Sequence, residues 1–145
     1  MREISALLLL FFSACSSGQT PIQTAKQISS VPGEDACSRP IGEPDFISIA
    51  TLLANPERYE GRPVGVIGFY HSGFEHSAIY LHRDDATQFI PTNGFWLRGR
   101  IPDELRERYV SVSGIFTTKS RGHLGQWPGT ICGALQVQPW GKAEP

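Results

Sequence analysis

Two short stretches of the chain share one pattern. Val64-Gly65-Val66-Ile67-Gly68 and Val110-Ser111-Val112-Ser113-Gly114 both read valine, small residue, valine, one further residue, glycine, and both run on into apolar residues. Alternation at period two is the pattern of a strand with one buried face. A glycine inside such a strand marks a bulge or sharp bend, where a sheet curls on itself. Two bent strands far apart in a chain of 145 residues point to a small closed barrel.

Composition agrees with a β domain. Hydrophobic residues make up 40%, enough for one core, while 15 glycines, 11 prolines and only 19% charged residues favour a turn-rich β domain over a helix bundle. At this length the chain is one domain with appendages. Lys and Arg number 13 against 14 Asp and Glu, a net charge of −1, so there is no overall basic excess for gripping phosphates. A local basic patch is still compatible with that balance.

Residues 1–14 read as a signal peptide: Arg2 follows the amino terminus, and Ile4 to Ala14 is almost wholly apolar, too short to span a bilayer but the right length for a signal core. Phe12-Ser13-Ala14-Cys15 resembles the lipobox of bacterial lipoproteins. The resemblance implies cleavage before Cys15 and its acylation with diacylglyceryl and amide-linked chains, and several chains together anchor stably. Ser16, rather than aspartate, follows, which in a Gram-negative host implies the outer membrane, facing the periplasm. The alternative is an ordinary secretory signal with an incidental cysteine. Residues 15–36, rich in Ser, Gln, Thr and Pro, read as a tether holding the domain about 25 Å from the lipid when treated as a flexible coil. The domain then covers 37–140, and 141–145 is a tail.

With Cys15 acylated, Cys37 and Cys132 remain. An even remainder in an exported chain points to one disulfide, stapling the start of the domain to its last strand. The alternative is two free thiols.

Along the domain, Ser48 is placed to cap a short helix whose Ile49, Leu52 and Leu53 share a face. Asn55-Pro56 interrupts it, and Pro56 opens a second turn to Tyr59. Strands are expected at about 64–70, 77–83, 94–98, 109–117 and 130–138, with a polar connection over 84–93, a helix of one or two turns over 102–107, and a loosely held tail from Pro139. Strand, strand, strand, helix, strand, strand is the order of the OB-fold, a five-stranded Greek-key barrel. The chain resembles that fold, with an added short helix before strand one. Gly68 and Gly114 fall in its first and fourth strands, which lie side by side in such a barrel. Ser48, Leu53-Ala54-Asn55-Pro56, Tyr59-Glu60-Gly61-Arg62-Pro63-Val64, Ala78-Ile79-Tyr80-Leu81 and Gly122-His123-Leu124-Gly125 also resemble small exported bacterial proteins of uncharacterised function. That resemblance implies an OB-like domain and no particular activity.

No catalytic signature is present: HExxH, CxxC, GxSxG and a phosphate loop are all missing. His71, His76, His82 and His123 lack zinc-ligand spacing and read as solvated loop residues, so neither a metal nor a cofactor is assigned. Asp84-Asp85 reads as a helix cap or a solvated pair. The most suggestive stretch is Lys119 to Gly129, between the last two strands, where OB-folds border their ligand face. Arg121, His123 and Trp127 there are side-chain types that stack and hydrogen-bond partners. A structural role is equally open, with His123 fixing the loop and Trp127 filling the core. Topology places Glu75, on the opposite loop, to pair with His123 or Arg121.

Three functions follow as expectations. The first is a membrane-anchored envelope lipoprotein acting as a non-catalytic binding or scaffold module, its partners the membrane itself and an envelope protein or polysaccharide. The second is an OB-type oligosaccharide or nucleic-acid binder, using Tyr80, Trp96, Arg98, Arg121 and Trp127 if they share a face. Charge and location disfavour nucleic acid. The third is a metal-dependent enzyme, for which only the histidines speak.

Overall fold

A computed structural model describes residues 35–141. The signal peptide, Cys15, the tether up to residue 34 and the tail from residue 142 lie outside the described residues. The described part is predominantly β, a six-stranded mixed sheet with two short α-helices.

The helix expected after Ser48 forms as α1, Ile49–Ala54, with the Ser48 hydroxyl accepting from the Thr51 amide at 3.0 Å. Ile49 and Leu52 are buried and Leu53 packs against the same core. Pro56–Tyr59 is a single 3-10 turn. The strands are β1 (Asp45–Phe46), β2 (Pro63–Gly73), β3 (His76–Tyr80), β4 (Gly94–Arg98), β5 (Arg108–Thr117) and β6 (Thr130–Pro139).

The two matched stretches pair with each other. β2 and β5 run antiparallel with Val64 opposite Gly114, Val66 opposite Val112 and Gly68 opposite Val110. All four valines are fully buried. Each glycine sits where a side chain has no room. A Cβ on Gly68 would lie 2.5 Å from both Ile49 Cδ1 and the Tyr80 carbonyl oxygen, and one on Gly114 would lie 2.8 Å from the Cys132 carbonyl oxygen. The β5–β6 register shifts between Ser113 and Ile115, so Gly114 lies at an irregularity of the sheet, as its place in a strand foretold.

β2 pairs with β3, β3 with β4, β4 with β6, and β6 with β5. The β5–β2 pairing then returns the ladder to its start. The β4–β6 pairing is parallel, and the other four are antiparallel. One interior holds Val64, Val66, Tyr70, Ile79, Phe95, Leu97, Val110, Val112, Phe116 and Ile131, with α1 adding Ile49 and Leu52.

Several expectations need correction. There are six strands, not five: β1 is a two-residue strand parallel to β2, too short to carry a periodic signal. The helix expected over 102–107 is only a 3-10 turn, Asp103–Leu105, because Arg106 is already extended and Glu107 turns left-handed at φ 57° before β5. The polar connection after β3 instead holds helix α2, Arg83–Thr87. Asp85 caps it, its carboxylate accepting from the His82 amide at 3.0 Å and from the Asn93 amide group at 2.8 Å. The tail begins later than Pro139, which still lies in β6, and the Trp140 amide bonds the Tyr109 carbonyl at 2.9 Å.

Cys37 and Cys132 form a disulfide, with Cα atoms 5.2 Å apart and 95 positions between them in sequence. It fixes the first described turn, Ala36–Ser38, to the buried β6. Asp35 caps that turn and also meets Arg98 at 2.6 Å. The Cys37 amide and the Arg98 guanidinium hold the Asp35 carboxyl below its ordinary range.

Candidate functional site

The outer face of β2, β3 and β4 is where the sequence-nominated residues gather. Period two sends Ile79, Phe95 and Leu97 inward and leaves His76, Ala78, Tyr80 and Trp96 on the other side. That side is not bare. Phe69, Ala78, Tyr80, Ala86 of α2 and Trp127 of the β5–β6 loop form a second buried cluster, with Trp96 packed against it.

Trp127 is 1% exposed, so it fills the face rather than offering it. Its ring meets Trp96 at 4.8 Å and His76 at 5.4 Å, both edge-on. Arg121 serves Trp127, its Nε–H donating to the Trp127 carbonyl at 2.8 Å. Gly122, with φ 66°, lies flat on Trp96, where a Cβ would come 2.6 Å from the ring. The Trp127 indole N–H is buried without a hydrogen bond of full geometry; its one polar influence is on the nearby Tyr80 hydroxyl, where it favours the ionised form.

His76 sits at the centre of the rings. It contacts His71 at 4.6 Å and Phe89 at 5.5 Å, and lies stacked at 6.4 Å with Trp96. Burial, reinforced by the charge of His71 and opposed by Glu107, pushes its pKa down to about 4. The ring is therefore neutral at pH 7. With the proton on Nδ1, the Tyr80 hydroxyl donates to Nε2 at 3.0 Å. Burial, together with Asp85 and against the Trp127 contact, pushes the Tyr80 hydroxyl up to about 12. A buried, protonated tyrosine bonded to a neutral histidine is a fastening and not a nucleophile, since no substrate reaches it.

The histidines are thus not simply solvated, as sequence had them. His76 is half-buried, and His71 meets Glu107 at 2.6 Å, a contact that ties the end of β2 to the turn before β5. The signal was present in His76-Ser77-Ala78-Ile79-Tyr80, where His76 shares the face of Ala78 and Tyr80; starting the strand one residue late hid it. Phe89 and the α2 cover had no periodic signature to find.

Two loops meet at one end of this face. The expected Glu75–His123 pair forms, Oε2 to Nε2 at 3.4 Å, with both side chains exposed. Of the four nominated binding residues, Glu75 and His123 are therefore together at the surface, and Arg121 and Trp127 hold the loop from beneath. Beside each member of the pair stands an exposed apolar residue that sequence did not single out: Phe74, 92% exposed, and Leu124, 79% exposed.

Among the described residues no group of three or more His, Cys, Asp or Glu is placed to hold a metal ion, and no helix is long and apolar enough to cross a membrane. Comparison of the chain with protein-family profiles, curated proteins and solved structures finds no match.

Proposed function

We propose that this chain is a membrane-anchored lipoprotein of the cell envelope whose domain is a non-catalytic binding or scaffold module. The observation that carries the reading is the Cys37–Cys132 disulfide. A disulfide that fastens the first turn of a domain belongs to an oxidising compartment. That is the compartment implied by the signal-like residues 1–14 and the lipobox-like Phe12-Ser13-Ala14-Cys15. Within this proposal the domain is OB-like. The ladder order β2-β3-β4-β6-β5, returning to β2 with β4 and β6 parallel, supports a five-stranded barrel to which β1 is added.

The site supports binding over catalysis. Its titratable groups are consumed by partners inside the domain, while its loop tips present apolar side chains to solvent. Burial of Tyr80 and Trp127 weighs against an oligosaccharide or single-stranded nucleic acid, because stacking needs an open ring face.

Intact mass of the protein purified from bacterial membranes, with and without reductant, tests the reading. The expected result is a chain beginning at Cys15 with diacylglyceryl and amide-linked acyl increments, gaining two hydrogens on reduction. A soluble, unacylated chain would overturn the anchor, and with it the envelope scaffold.

A further inference from the structure

We infer that the paired loop tips Phe74-Glu75 and His123-Leu124 form a lipid-facing surface by which the domain lies against the bilayer that anchors it. This rests on the lipoprotein reading above. Three observations converge on it.

The first is that the exposed residues are held out by a rigid frame. Phe74 and Leu124 are among the largest apolar side chains on the surface, each next to one partner of the Glu75–His123 contact. The β5–β6 loop beneath Leu124 is pinned by Gly122 on Trp96, by the Arg121 bond to the Trp127 carbonyl and by the Thr130 hydroxyl on the Ser120 carbonyl at 2.8 Å. Glu75 and Leu124 both take left-handed backbone, φ 50° and 54°, a conformation that costs free energy in a residue with a Cβ. An ordered leucine left in water at a strained position calls for an apolar partner.

The second is direction. The end of β2, the start of β3 and the end of β4 lie at one end of the sheet, since β2–β3 and β3–β4 are both antiparallel. The turn carrying Phe74 projects from that end. Arg98, the last residue of β4, binds Asp35, and its register partner on β6 is Cys132, disulfide-bonded to Cys37. The chain from Cys15 thus joins the domain at the same end as the apolar tips. Cys15 to Glu34 is 20 residues, a reach of about 25 Å as a flexible coil, short enough to keep that end at the lipid surface.

The third is charge. Thr118 to Gln126 carries Lys119, Arg121 and His123 and no acid. A cationic loop with a leucine at its tip suits an interface containing anionic lipid, where apolar side chains enter the boundary between headgroups and acyl chains.

The test uses the full chain purified with its anchor and reconstituted into vesicles of phosphatidylethanolamine and phosphatidylglycerol, with and without brominated acyl chains. Phe74→Trp, Leu124→Trp and, as a control at an exposed apolar site on β1, Phe46→Trp are each compared with the parent, whose Trp96, Trp127 and Trp140 are common to all. The added emission at 74 and 124 is expected to be blue-shifted and quenched about twofold by bromines within the roughly 5–10 Å that interfacial side chains penetrate, while that at 46 is not. Unquenched emission at 74 and 124, as a protein partner in place of lipid would leave it, overturns the proposal. Equal quenching at 46 overturns it too. Intact mass of the same samples reads acylation separately. An unacylated chain defeats the lipoprotein reading, yet quenching confined to 74 and 124 in that chain still upholds the docking face.

Discussion

The inner and outer clusters of this domain are built on different principles. The inner one is aliphatic, with Phe95 and Phe116 edge-on at 5.2 Å, and is walled by strands whose pairings return on themselves. The outer one is a cluster of rings on the back of β3 and β4, covered by the five-residue α2 and one loop. Its members carry a phenol, an imidazole and an indole, and so must satisfy polar atoms in a place that excludes water. The inner core can be destabilised only by removing atoms. The outer one can also be destabilised by a proton.

The sharpest contrast comes from truncating a ring in each. Phe95→Ala should cost about 3–5 kcal/mol and lower the urea midpoint of the whole domain. Trp127→Ala falls in the same range of removed volume, but its effect should be local: near-UV circular dichroism of the remaining indoles collapses while the far-UV sheet signal stays. If Trp127→Ala melts the sheet as Phe95→Ala does, the two clusters form one cooperative unit and the contrast fails.

Acid should divide them next. The His76 pKa is about 4 in the folded domain and near the ordinary 6.5 in the unfolded chain. Between those values the unfolded chain binds more protons, so this stability is fully present above pH 6.5 and is lost as pH falls towards 4. Because the ring is partly solvated, the loss should be no more than about 1–2 kcal/mol. His76→Phe should flatten urea stability across that window. A slope that persists in the variant would place the titration elsewhere. Glu60 acts lower still. Burial opposes its ionisation, but hydrogen bonds from Thr117 and Thr118, with Lys119 nearby, outweigh that and hold its pKa below 4.5. Its contribution is complete above the ordinary carboxyl range and fades only as pH drops through the lowered value.

The same contrast explains what sequence made legible. Val64, Val66, Val110 and Val112 announce the inner core because a strand writes burial at every second residue. Ser48 and Pro56 announce their turns through side chains that act within four residues. Even the Glu75–His123 contact follows once the order of strands places the two loops together. The outer cover obeys no such local rule. Trp96 is capped by Gly122, a contact 26 positions away whose only trace is one glycine among the 15 in the chain. Trp127 reads equally well as ligand platform or core until the path of its loop is known, and that path is set by Arg121 and Thr130 bonding its backbone.

The smallest expected effect falls on the seam between the two loops. Glu75→Gln removes the carboxylate charge facing His123 across 3.4 Å, at a site where both side chains are largely in solvent. Such pairs contribute at most about 1 kcal/mol, so the urea midpoint should barely move. Register between the loops should respond more than stability does. Gly122 and Trp127 pin the β5–β6 loop from below, leaving the Glu75 contact as the link that orients its tip against the β2–β3 turn. Amide hydrogen exchange across residues 122–126 is therefore expected to quicken in Glu75→Gln while exchange in β2 and β5 stays as it was. Unchanged exchange in the loop would mean that the frame beneath it sets the tip alone, and that the ion pair merely happens to span the gap.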